Sequence, residues 1–270
     1  MRPTLTVGAV AFAENQIVAE MYAQVLENAG FEVERQLTLE SREVLQPAIE
    51  DGQIDVAPEY LSSLLLFLDP DATASGDPAE VRAALEPLLE QRGQTLLESS
   101  QADDTNAFVV TQATADQHGL QTVSDLAPVA GQLTLGGPPE CPDRPFCILG
   151  LRDVYGVEFE DFKPLDVGGP LTVEALDQGE IDVALLFSTS SVIGDKGWVL
   201  LEDDQGLQNS ELITPVVNDE AFTGEIESLL SEVSAKLDTD TMIELNGKVE
   251  IEGQDPATVA QEHLTAEGLL

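Results

Sequence analysis

The chain of 270 residues has few basic, aromatic and histidine residues. It carries 11 Lys and Arg against 51 Asp and Glu, a formal net charge of −40, and only 5% of its residues are aromatic. A field of this sign repels nucleic acids and anionic lipid headgroups, so the composition argues against DNA or RNA binding. The acidic residues are spread along the whole chain, which indicates a strongly hydrated surface of the kind suited to high salt. A dedicated docking face for a basic partner is the alternative explanation.

Long apolar runs and catalytic motifs are also missing. No run of 18 or more apolar residues exists, so we expect no transmembrane helix. The chain has no G-x-S-x-G elbow, P-loop, Rossmann glycine pattern or H-E-x-x-H motif, and neither histidine lies near a predicted strand end. The sequence therefore argues against an enzyme. Because Met1 leads almost directly into an apolar strand, we expect that an export signal has been removed from this sequence.

The only two cysteines, Cys141 and Cys147, flank a proline-rich loop, CPDRPFC. One local disulfide that closes this loop predicts an oxidising compartment, and a pair of free thiols is the alternative. We expect no zinc site, because the only two histidines, His118 and His263, lie in unrelated contexts.

One segment of the chain occurs twice. VLQPAIEDGQIDVAPEY, residues 44–60, and LTVEALDQGEIDVALLF, residues 171–187, align without a gap at an offset of 127 residues. Each copy predicts a helix, a glycine in the left-handed conformation that ends it, and a short buried strand. The identical pairs are Ala48 and Ala175, Gly52 and Gly179, Ile54 and Ile181, Asp55 and Asp182, Val56 and Val183, and Ala57 and Ala184. A chance similarity between short α/β patterns is the alternative.

A loop is predicted after each repeated strand. In open α/β sheets, ligands bind beyond the carboxyl ends of the strands. We therefore expect two similar α/β lobes that each direct an aromatic ring and hydroxyl groups into a shared cleft. The offset pairs Tyr60 with Phe187, Ser62 with Thr189, and Ser63 with Ser190.

The order of the predicted elements repeats in the same way. LTLGG, residues 133–137, is similar to LTVGA, residues 5–9, and both halves run strand, loop, helix, strand, helix, strand. Two crossings between the lobes would form a hinge that closes around a small ligand. We predict a discontinuous first lobe at residues 1–106 and 215–270, a second lobe at 107–214, and crossings near 104–108 and 211–216.

Two long segments carry a resemblance to a known family. GAVAFAENQIVAEMYAQVLENAGFEVE, residues 8–34, followed by EVLQPAIEDGQIDVAPEY, residues 43–60, resembles the substrate-binding proteins of osmoprotectant ABC importers. Those proteins bind glycine betaine, choline, carnitine or proline betaine. The resemblance covers nearly the whole chain from Leu5 onward. It implies an α/β, two-lobed, periplasmic-binding-protein-like fold of type II, with each lobe a mixed sheet flanked by helices and the ligand cleft between the lobes.

The resemblance also implies the setting in which the protein works. It implies a monomer without a cofactor that captures a small zwitterion or cation and delivers it to ABC permease subunits in the membrane, powered by a separate ATPase. The implied location is extracytoplasmic, either periplasmic or as a cell-surface lipoprotein.

The family's ligand site is a cage of aromatic rings around a quaternary ammonium, since cation–π attraction survives desolvation. Carried over by motif, the four cage positions fall on Tyr60, Asn106, Phe187 and a position near Glu211, and a hydroxyl position falls on Ser63. The resemblance and the repeat together predict seven ligand-binding residues: Tyr60, Ser63, Asn106, Arg144, Phe187, Thr189 and Glu211.

Arg144 takes its place in that set because some family members use an arginine there for the carboxylate of a betaine. A loop salt bridge with Asp143 or Glu140 is the alternative. Asn106 and Glu211 depart from the family, because neither is aromatic. An anion at position 211 suits a protonated amine with N–H donors better than a fully methylated ammonium, and a solvated surface acid is the alternative.

The sequence thus predicts a capture protein of an ABC importer. The alternatives are the same fold with a ligand other than a betaine, such as an amino acid derivative, a ligand-sensing domain, and an enzyme on the same scaffold.

Overall fold

The computed structural model describes residues 2–73 and 75–270, so the predictions that involve Met1 and Ala74 lie outside the described residues. The chain forms two compact units, which comprise residues 2–104 with 210–270 and residues 105–209. Residues 210–214 belong to the first unit. The N–H of Asp104 donates to the carbonyl of Glu211 at 3.2 Å, and Asp103 pairs with Leu212 in an antiparallel bridge.

Most strands coincide with the predicted apolar segments within a few residues. In chain order they are β1 (Thr4–Val10), β2 (Glu32–Leu39), β3 (Val56–Tyr60), β4 (Gln94–Leu96), β5 (Asn106–Val110), β6 (Thr134–Gly137), β7 (Asp161–Pro164), β8 (Val183–Phe187), β9 (Val199–Leu200) and β10 (Ile213–Asn218).

The helices are α1 (Ala13–Asn28), α2 (Arg42–Glu50), α3 (Leu61–Leu68), α4 (Pro78–Glu90), α5 (Gln112–His118), α6 (Ile148–Tyr155), α7 (Pro170–Asp177), α8 (Val192–Asp195), α9 (Gly224–Ser234), α10 (Thr239–Glu250) and α11 (Pro256–Ala266). The polar helix α5 has no strong apolar periodicity and was not predicted. Its N-cap Thr111 accepts a hydrogen bond from the N–H of Thr114, and Gly119 ends it in the left-handed conformation.

The first unit is a five-stranded mixed sheet with the order β2-β1-β3-β10-β4. Strand β1 runs parallel to β2 and β3, whereas β10 runs antiparallel to β3 and β4. One face of the sheet packs against α1, α9, α10 and α11 through an apolar cluster that includes Val7, Ile17 and Leu230. The other face packs against α2, α3 and α4 through residues such as Ile49 and Leu64.

The second unit repeats this architecture with the order β7-β6-β8-β5-β9. Strand β6 runs parallel to β7 and β8, and β5 runs antiparallel to β8 and β9. Helices α7 and α8 cover one face, where Leu176, Ile181 and Ile193 are buried. Both units are therefore mixed sheets flanked by helices, as the sequence predicts.

The repeated segment ends its helix in the same way in both units. Gly52 and Gly179 have φ angles of 70° and 71°, the left-handed conformation that glycine adopts without a steric penalty. The carbonyl of Ala48 accepts the N–H groups of residues 53 and 54 at 2.8 and 3.0 Å, and that of Ala175 accepts those of residues 180 and 181 at 2.8 and 3.3 Å. The glycine prediction is confirmed in both copies.

The repeated aspartate, which precedes β3 in one copy and β8 in the other, forms two hydrogen bonds with the first strand of the same sheet. Asp55 donates its N–H to the carbonyl of Thr6 at 2.8 Å, and its Oδ2 accepts the N–H of Thr6 at 2.7 Å. Asp182 makes the same two bonds with Thr134, at 3.0 and 2.8 Å. One side chain thus satisfies a strand N–H that would otherwise lack a partner at the sheet end.

The isoleucine before each aspartate packs over a glycine of that first strand. A Cβ added at Gly8 would lie 2.6 Å from Cδ1 of Ile54, and one added at Gly136 would lie 2.5 Å from Cδ1 of Ile181. This contact explains why both similar segments, LTVGA and LTLGG, have a glycine at the position that faces the repeated isoleucine.

Ser41 occupies the N-cap position of α2, and its side chain makes no capping hydrogen bond. One local prediction is wrong. The segments PEYLSS and LLFSTS are not loops throughout, because β3 extends to Tyr60, helix α3 begins at Leu61, and β8 extends to Phe187. Pairing with the neighbouring antiparallel strands extends both repeated strands to these aromatic residues. Across the described part of the chain, no helix has the length and apolarity needed to cross a membrane.

Candidate functional site

The carboxyl end of β3 places the ring of Tyr60 in the apolar cluster of the first unit. Its side chain is 8% exposed and its ring centroid lies 6.1 Å from that of Phe12. The Tyr60 hydroxyl donates a hydrogen bond to Oε1 of Glu14 at 2.9 Å. Burial, followed by the negative charges of Glu14 and Asp104, raises the pKa of Tyr60 well above its usual value. The hydroxyl therefore stays protonated and acts as a donor.

Glu14 lies in the first turn of α1 and is only 2% exposed. Its second oxygen, Oε2, accepts a hydrogen bond from the side-chain amide of Asn246 on α10 at 3.1 Å. The donors to this carboxylate, the Tyr60 hydroxyl and the Asn246 amide, are uncharged groups. The helix N-terminus adds a favourable dipole, which helps to hold a buried carboxylate at this position.

Glu211 is buried in the same unit, at 3% exposure, so the alternative of a solvated surface acid is wrong. Its carboxylate accepts two hydrogen bonds from Ser63 near the start of α3, from the N–H at 3.1 Å and from the hydroxyl at 2.5 Å. The N–H of Glu211 donates to Oδ1 of Asp103 at 2.7 Å. Burial raises the pKa of Glu211 to about 7, although the bonds from Ser63 and the charge of Arg42 oppose the shift.

An ion pair between Arg42 and Glu59 lies beside this carboxylate. The Nε of Arg42 lies 3.1 and 2.9 Å from the two carboxylate oxygens of Glu59, and its Nη2 lies 2.8 Å from Oε2. Glu59 is 2% exposed and also accepts a bond from Gln46 at 3.0 Å. Burial lowers the pKa of Arg42, but the nearby carboxylates of Glu59 and Glu211 reverse this and leave it raised. Arg42 is therefore already committed to Glu59.

The second unit brings Phe187 and Asn106 together. Phe187 ends β8 and lies directly opposite Asn106, the first residue of β5, in the antiparallel register. The Phe187 ring packs against Gly168, where an added Cβ would lie 2.9 Å from ring carbon Cε2. Gly168 also has a φ of 62°, so glycine is required both by the backbone conformation and by the close contact with the ring.

Asn106 connects this strand end to the cysteine loop. Its side-chain amide donates to the carbonyl of Phe146 at 3.1 Å, and that of Gln208 donates to the same carbonyl at 2.9 Å. The donor nitrogen of Asn106 thus has a structural role. Since an amide has no π face, this position cannot supply the cation–π contact of an aromatic cage.

The cysteine loop holds Arg144. Cys141 and Cys147 form a disulfide with their Cα atoms 5.3 Å apart, which confirms the predicted pairing. The N–H of Arg144 donates to the carbonyl of Cys141 at 3.2 Å, and the N–H of Cys147 donates to the carbonyl of Arg144 at 3.1 Å. The disulfide and these turns fix the backbone of Arg144 on a partly buried segment.

The hydroxyl residues of the two repeats differ in their surroundings. The Ser62 hydroxyl is buried and donates to the carbonyl of Ser210 at 2.7 Å, so it fastens α3 to the segment before β10. In the second unit Thr189 and Ser190 are buried directly after β8. Ser188 exchanges hydrogen bonds with the backbone of Thr105.

The seven predicted ligand residues thus form two groups. Tyr60, Ser63 and Glu211 lie together in the first unit, and Asn106, Arg144, Phe187 and Thr189 belong to the second. Sequence reasoning missed Glu14 and the pair of Arg42 and Glu59. Their acids were hidden among 51 acidic residues, and only the scarcity of arginine could have singled out Arg42.

Comparison with known proteins agrees with this architecture. Residues 3–266 match the family model described as the substrate-binding domain of the ABC-type glycine betaine transport system. A carnitine transport binding protein of Listeria monocytogenes is 29% identical over 97% of this chain and 86% of its own length. A glycine-betaine-binding protein of Pseudomonas aeruginosa is 30% identical over 99% of this chain and 89% of its own length.

The solved structures support the same fold. A crystal structure of a glycine betaine/carnitine/choline ABC transporter protein is similar with a TM-score of 0.76 and 26% identity, over 98% of this chain and 99% of that one. The fold is that of type II periplasmic binding proteins, and the family's members are transporter proteins rather than enzymes. The chain belongs to the family of substrate-binding domains of ABC-type glycine betaine transport systems.

Proposed function

We propose that this protein captures a small zwitterionic or cationic solute outside the cytoplasm and delivers it to the permease of an ABC importer. The family match over residues 3–266 and the two relatives that bind carnitine and glycine betaine support this role. We propose further that residues of both units contact the ligand.

The distribution of buried charge is the observation that supports this proposal best. Five carboxylates with 6% exposure or less lie in the first unit: Glu14, Glu20, Glu59, Asp104 and Glu211. Arg35 offsets the charge of Glu20 and Arg42 that of Glu59, whereas Glu14 and Asp104 place negative charge beside Tyr60. Among the described residues of the second unit, the buried polar side chains are the hydroxyls of Thr172, Thr189 and Ser190. The first unit is therefore suited to the cationic end of a ligand, beside the rings of Tyr60 and Phe12.

The second unit is suited to the other end of a zwitterion. Arg144 supplies a planar guanidinium that can bind a carboxylate with two parallel hydrogen bonds. Phe187, fixed on Gly168, supplies an apolar surface against the ligand's methyl or methylene groups. A ligand with a cationic nitrogen at one end and a carboxylate at the other fits this division of residues.

The location and partners follow from the same role. A disulfide in a loop of the second unit is consistent with an oxidising, extracytoplasmic compartment. The proposed partners are the permease subunits of an ABC importer, to which the protein would release its ligand.

A binding screen tests the function. Calorimetry and thermal shifts with glycine betaine, carnitine, choline, dimethylglycine, proline and arginine should identify at least one ligand that raises the Tm. Replacement of Tyr60 or Phe187 by alanine should then lower affinity by about tenfold, because each ring contributes on the order of 1 kcal/mol to cation binding.

Arginine variants separate the two ends of the ligand. Arg144→Ala should weaken carboxylate-bearing ligands and leave choline unaffected. Arg152→Ala is the matched control, because the Arg152 side chain is 51% exposed and pairs with the adjacent Asp153. No binding by any small cation or zwitterion would overturn the proposed function.

A further inference from the structure

We propose that Glu211 selects ligands whose cationic nitrogen keeps at least one N–H, so that protonated amines bind better than fully methylated ammonium ions. This inference rests on the proposed function, since it specifies the substrate class of the same site.

Glu211 and Tyr60 lie at the same end of the sheet of the first unit. Its neighbour by two residues, Ile213, pairs with Tyr60 across β10 and β3, and Ser63, which binds the carboxylate, lies three residues after Tyr60. The carboxylate and the ring therefore belong to adjacent segments at the same end of the sheet. A cation held against the Tyr60 ring would therefore lie at the sheet end that also carries Glu211.

The carboxylate has hydrogen-bonding capacity left for a ligand. An ionised carboxylate can accept about four hydrogen bonds. Ser63 donates one hydrogen bond to each oxygen of Glu211, from its N–H to Oε2 and from its hydroxyl to Oε1. A ligand N–H can take one of the remaining positions without displacing Ser63.

The charges that face Glu211 also favour a cation there. Arg42 on α2 is committed to Glu59 by three contacts of 3.1 Å or less. Asp103, which accepts the N–H of Glu211, carries the same sign of charge. A buried carboxylate in this setting is costly, and a cationic ligand offsets that cost. Glu14, beyond the Tyr60 hydroxyl, is likewise held by uncharged donors.

The discrimination comes from the hydrogen bond. An ammonium N–H donates a charge-assisted bond to a carboxylate, whereas an N-methyl group has no donor and keeps the positive centre farther from the oxygen. A site built to bind an N–H leaves its polar group unpaired when the donor is absent. Such a bond contributes about 10- to 100-fold in affinity. Cation–π contacts alone give no such preference, because they need no N–H.

A methylation series tests the inference with the whole protein. Calorimetry at pH 7 would compare trimethylglycine, dimethylglycine and sarcosine, which share a carboxylate and differ in the number of N–H donors. We expect dimethylglycine and sarcosine to bind wild type at least tenfold more tightly than trimethylglycine. Glu211→Gln should reduce that ratio to below about threefold. Glu227→Gln, at an exposed position of α9, should leave the ratio unchanged.

A second readout separates a ligand contact from a merely structural role. Cation binding beside Glu211 should release a proton near pH 7, which calorimetry in two buffers of different ionisation enthalpy measures, and Glu211→Gln should abolish the release.

The outcomes are distinct. If wild type binds trimethylglycine more tightly than dimethylglycine and sarcosine, the inference is overturned and the proposed function stands. The same holds if Glu211→Gln leaves the ratio of these affinities unchanged. Failure of the whole series, together with every other ligand of the binding screen, overturns the proposed function and this inference with it.

Discussion

Positions 42 and 59 of the first unit hold an arginine and a glutamate that form a buried ion pair. Positions 169 and 186, which correspond to them at the 127-residue offset, hold glycine and leucine. The absent side chain at Gly169 leaves room for Asp166, which accepts the N–H groups of Leu171 and Thr172 at 2.9 Å each and so caps α7. The same helix–glycine–strand unit thus folds with an ion pair in one copy and without it in the other.

The repeated unit therefore folds without a requirement for a buried ion pair. What both copies share is backbone chemistry: the left-handed glycines 52 and 179, and the aspartates that fasten each strand. Among the described residues, the carboxylates with 6% exposure or less all lie in the first unit, and two of them, Glu59 and Glu211, lie near the ends of β3 and β10. Since buried charges are costly, we propose that Glu14 and Glu211, whose hydrogen-bond donors are uncharged, serve ligand binding rather than stability.

Breaking the ion pair should have the largest effect. Arg42→Met leaves Glu59 buried, at 2% exposure, without its cationic partner. We expect a loss of about 3–5 kcal/mol in the free energy of unfolding, because an uncompensated charge stays in the interior. Chemical denaturation followed by circular dichroism measures it.

The double variant Arg42→Met, Glu59→Leu imitates the second unit, where Leu186 is fully buried. It should recover most of the lost stability, because a well-packed apolar pair can replace a buried ion pair at little cost. A double variant no more stable than Arg42→Met would contradict the view that the fold works without this pair.

The pH dependence of stability should be the next largest effect, and it should be specific to the first unit. Burial raises the pKa of Glu211 from about 4.5 in the unfolded chain to about 7. Stability from this group is full below pH 4.5 and is lost as the pH rises through 7, because only the unfolded state accommodates the charged form well. The loss amounts to about 3 kcal/mol.

The difference in unfolding free energy between wild type and Glu211→Gln isolates this contribution from the other acids. The stability of Glu211→Gln relative to wild type should increase from pH 4.5 to 7.5 and then stay constant. A constant difference across this range would show that Glu211 titrates as an ordinary glutamate. A bound cation should flatten the curve of wild type, since it stabilises the carboxylate.

The sequence predicted the fold well because its determinants are local. The alternation of strands and amphipathic helices, together with Gly52 and Gly179, defined the elements and their repetition. It also predicted Tyr60 and Phe187 as site residues, because both lie inside the repeated segment. The ends of the strands were misjudged, since pairing with β10 and β5 extends them beyond the IDVA motif.

The polar part of the site was largely beyond prediction. Glu14 meets the Tyr60 hydroxyl across 46 positions of sequence, and Ser63 meets Glu211 across 148. Nothing local distinguishes a buried glutamate from the exposed ones in a chain with 51 acidic residues. Only folding brings these groups together, so charge and hydrogen bonding at the site had to be read from the structure.

The smallest expected effect concerns what the two units share. Gly8→Ala and Gly136→Ala each place a methyl group within 2.6 Å of an isoleucine Cδ1, that of Ile54 or Ile181. Because both sites are overpacked in the same way, we expect each variant to lose about 1–2 kcal/mol in the free energy of unfolding. Denaturant titration of the two variants side by side measures the losses.

Matched rescue decides whether the two contacts are equivalent. Adding Ile54→Val to Gly8→Ala, and Ile181→Val to Gly136→Ala, removes the Cδ1 methyl that clashes, so each second change should restore part of the stability. Gly76→Ala is the control, because an added Cβ there meets no atom within 4 Å. Rescue in one unit but not in the other would show that the repeat is conserved in sequence without being conserved in packing. If both alanine variants lose equal stability and both valine substitutions restore it equally, the two units share this backbone and core packing. Buried charge is then the property in which they differ.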